Sequence, residues 1–89
     1  MRKKGKLEDY QLEELKNISE KLKHLRIKNG YSNYEDFAYD ADIARAQYGK
    51  YEKGANLMLT TLAKILRAHE MSLEEFFSYK IDQESKAEH

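Results

Sequence analysis

Residues 32 to 54 read SNYEDFAYDADIARAQYGKYEKG, two short helical patterns separated by a turn. Ser32 and Glu35 have the spacing of a capping box, so the first helix is expected to begin there. Asp42 is expected to end it, because aspartate tolerates the left-handed conformation of a tight turn. The second helix should end at Gly54, since glycine is the residue that most often follows a helix. The stretch therefore predicts two helices joined by a turn of about three residues.

Helical periodicity continues on both sides of this stretch, because apolar residues recur every three or four positions. Residues 9 to 29 form the longest segment, which we expect to be capped by Asp9 and ended by Gly30. Two further helices are predicted downstream, with marker positions at Leu59, Leu62, Ile65 and Leu66 in one and at Met71, Ser72, Glu75 and Phe76 in the other. The sequence has no valine and no alternating β-branched run, so no strand is predicted. The patterns predict an all-α chain of five helices.

The 89 residues suit one domain with one hydrophobic core. We expect a basic tail at residues 1–8, the domain at residues 9–79 and a polar tail at residues 80–89. Sixteen basic and sixteen acidic residues balance, so the net charge gives no argument for nucleic acid. Local charge says more, because residues 45–53 carry three cations against one acid. A local basic patch is what displaces counterions from a phosphate backbone.

Several classes of function find no support in the sequence. The absence of cysteine excludes a disulfide scaffold and fits a cytoplasmic location. His24, His69 and His89 lack metal-ligand spacing, and no glycine-rich loop or nucleophile elbow is present. No apolar run approaches the roughly 18 residues of a membrane span. We therefore expect no enzymatic activity, no cofactor, no metal and no membrane association.

Two short helices joined by a tight turn, the second of them cationic, form the helix-turn-helix pattern, in which the second helix enters the major groove of DNA. A set of residues spread over positions 18 to 77 has a recognisable spacing: Leu25, Arg26, Gly30, Ser32, Ala38, Ile43, Arg45, Glu52, Gly54 and the segment LTTLAKILRAHEMSLEEFF at residues 59 to 77. Through these residues, the stretch from 18 to 77 resembles the phage-repressor and Cro-like (XRE-type) helix-turn-helix family of transcription regulators. The resemblance implies a five-helix, lambda-repressor-like DNA-binding domain, here with an N-terminally extended first helix.

The same resemblance implies that Arg45, Ala46 and Lys50 face the DNA bases, with Gln47 at the margin. The helical period gives the same face, because positions 46 and 50 are four apart and position 45 lies beside them. Arg45 and Lys50 can donate to guanine O6 and N7, and Ala46 can meet a thymine methyl group. The alternative is that Arg45 and Lys50 contact only phosphates.

Flanking phosphate contacts are implied for Asn33, in the first turn of the second helix, and for Lys53 and Asn56, just after the third. The alternative for each is a solvated polar side chain. Arg26 and Glu52 occupy positions that in the family form an ion pair between the first and third helices. Such a pair orients the recognition helix and takes no part in catalysis.

Some residues depart from the family pattern or need a separate explanation. Gly49 lies inside the recognition helix, where glycine costs about 1 kcal/mol relative to alanine, and we expect it to let the helix axis lie closer to DNA. Tyr48 and Tyr51 lie on the opposite face and are expected to pack in the core. Ala44 stands where a serine or threonine cap is usual. Glu70 stands where the family usually has glycine.

The resemblance implies a sequence-specific double-stranded DNA-binding regulator, expected to act as a repressor that binds a palindromic operator as a homodimer. Leu7, Leu12 and Leu15, in the extension of the first helix, are expected to pack on the partner chain, or alternatively on this chain's own core. Another alternative is an antitoxin-type module of the same fold that neutralises a toxin and autoregulates its operon, which the acidic residues 35–42 favour. The third hypothesis for the function is a helical scaffold without DNA contact.

Overall fold

The computed structural model describes residues 6–81, which form five α-helices and no strand. The helices are α1 (Asp9–Lys28), α2 (Tyr34–Ala41), α3 (Arg45–Tyr51), α4 (Leu59–Ala68) and α5 (Leu73–Ser78). The predicted all-α fold is confirmed. Most of the two predicted tails, residues 1–8 and 80–89, lies outside the described residues. None of the five helices is both long and apolar enough to span a membrane.

The predicted helix ends have the expected left-handed backbone. The φ angles are +95° at Gly30, +63° at Asp42 and +99° at Gly54. Asp42 is followed by Ile43 and Ala44, so three residues separate α2 from α3. The turn is closed by the Ile43 amide, which donates to the Ala38 carbonyl at 2.9 Å. A tight turn therefore fixes the direction in which α3 leaves α2.

Two helix starts differ from the prediction by one residue. Glu8 rather than Asp9 is the cap of α1, and its backbone amide donates to Gln11 Oε1 at 2.8 Å. Asn33 rather than Ser32 is the cap of α2, and its Oδ1 accepts from the Asp36 amide at 2.9 Å. In both cases the adjacent residue has a competent oxygen, so sequence spacing alone did not select the register.

The start of α5 agrees with the predicted capping box. The Glu75 amide donates to Ser72 Oγ at 3.0 Å, and the Ser72 amide donates to Glu75 Oε1 at 2.8 Å. Ala44 precedes α3 and offers no side-chain cap. The first backbone amides of α3 therefore receive no acceptor from the side chain of the cap residue.

One hydrophobic core lies between the five helices. Its buried members are Leu22, Leu25, Phe37, Ala38, Ala41, Tyr48, Tyr51, Leu62, Ile65, Leu66 and Phe76. Burying a large apolar side chain stabilises the fold by about 1.5–3 kcal/mol. Tyr48 and Tyr51 are 0% and 8% exposed, so the predicted packing of the inner face of α3 is confirmed. Lys21 joins α1 to α5, because its Nζ donates to the Phe76 carbonyl at 3.0 Å.

The N-terminal part of α1 lies apart from this core. Leu7 and Leu15 are half-buried, whereas Tyr10 and Leu12 are 71% and 48% exposed. None of these four belongs to the core or to the half-buried side chains packed against it. The extension therefore carries apolar side chains that the rest of the described chain leaves largely uncovered.

Candidate nucleic-acid interface

The inner face of α3 is held by a hydrogen-bonded network. The Tyr48 hydroxyl donates to Glu52 Oε2 at 2.5 Å, and the Tyr48 ring lies 5.1 Å from that of Phe37 in α2. Burial, together with the hydrogen bond to Glu52, raises the pKa of Tyr48 far above its ordinary value. Tyr48 is therefore a permanent hydrogen-bond donor, and it anchors α3 to the core through both its ring and its hydroxyl.

Arg26 and Glu52, predicted to form an ion pair, are joined by two hydrogen bonds. Arg26 Nε lies 2.7 Å from Glu52 Oε2, and Nη2 lies 3.1 Å from Oε1. The third guanidinium nitrogen, Nη1, donates to the Tyr31 carbonyl at 2.7 Å. Both charged side chains are largely buried, and the hydrogen bond to Glu52 raises the pKa of Arg26. The pair fixes the end of α3 against α1.

The outer face of α3 carries the four residues predicted to read bases. Arg45, Ala46, Gln47 and Lys50 are all exposed. Within residues 6–81, the Arg45 and Lys50 side chains form no hydrogen bond or ion pair, so both cations are free to bind an anion or a base edge. Gln47 differs from them, because its Nε2 donates to the Tyr51 hydroxyl oxygen at 3.0 Å. Gln47 would have to give up or share that bond to read a base.

The structure distinguishes the three predicted phosphate contacts. The Asn33 amide is engaged at both atoms, because Oδ1 caps α2 and Nδ2 lies 3.3 Å from Asp36 Oδ2. Lys53 is exposed in the loop that follows α3. Asn56, further along this loop, is also exposed and lines a shallow groove with Leu7 and Leu15. Lys53 and Asn56 are thus accessible, whereas Asn33 serves first as a helix cap.

Gly49 does not lie where we expected it. It is buried, and a Cβ at this position would lie 2.9 Å from Cε1 and 3.0 Å from Cζ of Tyr34, the first residue of α2. The close approach that the glycine permits is therefore an approach to α2, and the expectation that it brings the helix axis nearer to DNA is wrong. At about 100° per residue, position 49 projects between Arg45 and Ala46, on the side of α3 predicted to face DNA, which is why sequence position alone did not reveal the contact with α2.

His69 has a structural role that the sequence did not indicate. Its ring stacks on Phe37, with 4.6 Å between centroids and an angle of 11° between planes. Nδ1 lies 2.7 Å from Asn29 Nδ2, and Nε2 is buried without a partner among the described residues. Burial lowers the pKa of His69, and the nearby charge of Glu52 opposes that shift. A neutral ring, accepting from Asn29 at Nδ1, fits this site.

Among residues 6–81, no group of three or more histidine, aspartate or glutamate side chains is arranged to hold a metal ion. The candidate surface for nucleic acid is the exposed face of α3 with the loop that follows it. An α-helix that carries exposed cations at its first turn and one turn later has the dimensions and donors suited to the major groove of DNA.

Comparison with known protein families matches residues 22–76 to a helix-turn-helix family, that of the XRE-type regulators. The match runs from the middle of α1 to the end of the core in α5 and covers more than half of the chain. No curated protein and no solved structure matches the chain significantly. The match agrees with a tight turn between α2 and α3 and with an α3 whose outer face carries two exposed cations. The chain therefore belongs to the XRE-type helix-turn-helix family of DNA-binding transcription regulators.

Proposed function

We propose that this protein is a sequence-specific repressor that binds a palindromic double-stranded DNA operator as a homodimer in the cytoplasm, without a cofactor or catalytic activity. The observation that carries the proposal is the division of α3 into two faces. Tyr48 and Glu52 hold the inner face in one orientation, and on the outer face Arg45 and Lys50 have no hydrogen-bond or ion-pair partner within residues 6–81. A rigid helix with unpaired cations can place its donors opposite chosen bases at little entropic cost.

Base reading by Arg45, Ala46 and Lys50 is the specific part of the proposal, with Gln47 contributing if it leaves Tyr51. Each bidentate arginine or lysine contact to guanine discriminates against a wrong base by about 1–3 kcal/mol. Lys53 and Asn56 would contact phosphates and fix the register of the helix in the groove. Asn33 would add a phosphate contact only through the amide hydrogen that does not face Asp36.

Selection from random duplexes tests sequence-specific binding directly. We expect enrichment of a palindrome whose half-sites lie about 34 Å apart, one helical turn of DNA. Arg45→Ala and Lys50→Ala should each relax the preference at one base pair per half-site. Lys53→Ala should weaken binding to all sequences equally and lower the log–log salt slope by about one. Absence of enrichment at moderate salt would reject the proposal in favour of a scaffold without DNA contact.

The homodimer is proposed to form through the N-terminal extension of α1. Tyr10 and Leu12 are exposed there beside the half-buried Leu7 and Leu15, and this surface adjoins the loop that holds Asn56. Two copies paired through it would each keep α3 exposed. The DNA half-sites require a two-fold assembly of this kind.

Sedimentation of a Leu12→Asp variant tests this interface. We expect the variant to be monomeric at concentrations at which the unchanged protein is dimeric. Leu59→Asp is the matched control, because Leu59 is 61% exposed at the start of α4 and outside the extension. A dimer that survives Leu12→Asp but dissociates in Leu59→Asp would place the interface on α4.

An antitoxin-type module is the second candidate function, and the surface of α2 favours it. Asp36, Asp40 and Asp42 are exposed on α2 and its following turn, with Tyr39 83% exposed among them. An acidic surface around one aromatic side chain can bind a basic partner protein. Co-expression with the product of an adjacent toxin-like gene should then yield a complex that Tyr39→Ala weakens, whereas a DNA-only regulator would show none.

A further inference from the structure

Gln47 and Tyr51 lie one turn apart on α3 and are joined by a hydrogen bond between their side chains. Gln47 Nε2 donates to the Tyr51 hydroxyl oxygen at 3.0 Å. Tyr51 is 8% exposed and belongs to the hydrophobic core, so packing holds its ring in place, whereas Gln47 is exposed. The packed ring therefore fixes the position of its hydroxyl oxygen, and that oxygen restrains the amide of Gln47.

Gln47 borders the outer face of α3 on the side of Lys50. At about 100° per residue, position 47 projects about 60° from Lys50 and about 40° from Tyr51 around the helix axis. Gln47 therefore lies between a residue proposed to read a base and a residue of the core. Its side chain connects the core to the face proposed to enter the groove.

The bond to Tyr51 leaves one donor and one acceptor of the Gln47 amide free. A primary amide has two N–H donors and one carbonyl oxygen. One hydrogen of Nε2 goes to Tyr51, and Oε1 has no hydrogen-bond partner among residues 6–81. When the hydrogen that points away from Oε1 is the one given to Tyr51, the other hydrogen and Oε1 share one edge of the amide. That edge matches adenine, which presents a donor at N6 and an acceptor at N7, and mismatches guanine, which presents two acceptors.

We propose that Tyr51 is a positioning residue for base recognition, because it holds the Gln47 amide so that Oε1 accepts from adenine N6 and the remaining N–H donates to N7. The inference rests on the proposed function and adds an adenine·thymine pair beside the one that Lys50 reads. Gln47 thus reads its base while it stays bonded to Tyr51. A long exposed side chain loses rotamer freedom when it binds, and the bond to Tyr51 removes part of that loss before DNA is bound.

Tyr51→Phe tests the role of the hydroxyl, because phenylalanine keeps the packed ring. Replacing the one adenine·thymine pair by guanine·cytosine measures the preference at that pair. We expect Tyr51→Phe to lower this preference about fivefold, since ordering one flexible side chain costs roughly two- to tenfold in affinity. Preference at the other base pairs should not change, whereas a displaced α3 would lose preference at every pair. Tyr39→Phe, on α2, is the matched control and should behave as the unchanged protein does.

A comparison of single and double variants shows whether Tyr51 acts through Gln47. Gln47→Ala should lower the preference at that pair by about tenfold or more, the effect of losing a bidentate contact. In the Gln47→Ala background, Tyr51→Phe should have no further effect. The base analogue 7-deazaadenine, which lacks the N7 acceptor, should weaken binding of the unchanged protein and leave binding of Gln47→Ala as it was.

Several results would overturn the inference. Equal preference of Tyr51→Phe and the unchanged protein would do so, and so would an effect of Tyr51→Phe that persists in the Gln47→Ala background or extends to every base pair. Selection of a base other than adenine at this pair would overturn the assignment of the contact. If Arg45→Ala changes preference but Gln47→Ala does not, only this inference fails, whereas absence of any selected sequence rejects the proposed function as well.

Discussion

Replacement of Glu52 by glutamine tests how firmly the ion pair with Arg26 holds α3. The Arg26 and Glu52 side chains are only 6% and 8% exposed, so water cannot solvate the Arg26 charge once the carboxylate is removed. Removing one member of a buried pair costs about 3–5 kcal/mol, because the remaining charge is buried without compensation. In a domain of this size 1 kcal/mol shifts the unfolding temperature by about 4–8 °C, so Glu52→Gln should lower it by at least about 12 °C.

Hydrogen bonding leads to the same expectation for Glu52→Gln. The carboxylate accepts from Arg26 Nε and Tyr48 at Oε2 and from Arg26 Nη2 at Oε1. A glutamine amide has one oxygen, and its nitrogen would face a donor. At least one of the three donors therefore loses its acceptor inside the protein, which adds to the cost of the lost charge.

Asp42→Asn is the matched control for loss of an acidic charge. Asp42 Oδ2 lies 3.9 Å from Lys64 Nζ, and these side chains are 97% and 50% exposed. Asparagine also tolerates the φ of +63° at this position, so the change should alter the free energy of unfolding by less than about 0.5 kcal/mol. Thermal unfolding followed by circular dichroism measures both variants. Equal shifts for Glu52→Gln and Asp42→Asn would refute the reasoning.

Three further predictions concern backbone strain, protonation and the contact between α2 and α3, and unfolding experiments measure all of them. Glu70 has a φ of +57°, so Glu70→Gly should stabilise the fold by about 1 kcal/mol, and Glu70→Ala should not. Burial lowers the pKa of His69, so as pH falls the unfolded chain takes up a proton at this histidine before the folded chain does. The free energy of unfolding should therefore fall as pH drops below about 6.5. A similar pH dependence in His69→Leu would contradict this. Gly49→Ala should destabilise the fold because its Cβ meets Tyr34, whereas in a Tyr34→Ala background it should stabilise by about 1 kcal/mol.

Local chemistry made much of the fold predictable from the sequence. Gly30, Asp42 and Gly54 mark left-handed helix ends because few other residues adopt that backbone at low cost. Ser72 and Glu75 form their capping box within one turn of chain, so their spacing is enough to identify it. Such signals depend on residues a few positions apart, and they are therefore visible before any tertiary structure is known.

The contacts that the sequence did not reveal join different helices. The approach of Tyr34 to Gly49 depends on how α2 crosses α3, which residue spacing does not specify. The stacking of His69 on Phe37 likewise brings a residue at the end of α4 onto α2. Gly49 was nevertheless recognisable as a position with an unusual demand, because glycine is costly inside a helix. The sequence showed that some group must approach closely, and the structure shows that the group belongs to the protein.

Substitutions on the two faces of α3 should have different effects on stability. Arg45 and Lys50 form no hydrogen bond or ion pair within residues 6–81, so substitutions there should change stability by less than about 0.5 kcal/mol. Tyr48, Gly49 and Glu52 contact α1 or α2, and changes there move the whole helix. A binding defect without a change in unfolding temperature therefore indicates a lost DNA contact, and a defect with a lower unfolding temperature indicates a displaced α3. Because the proposed contact residues and the orienting residues are separate, the proposed function implies that DNA preference can change through positions 45 and 50 while the fold is retained.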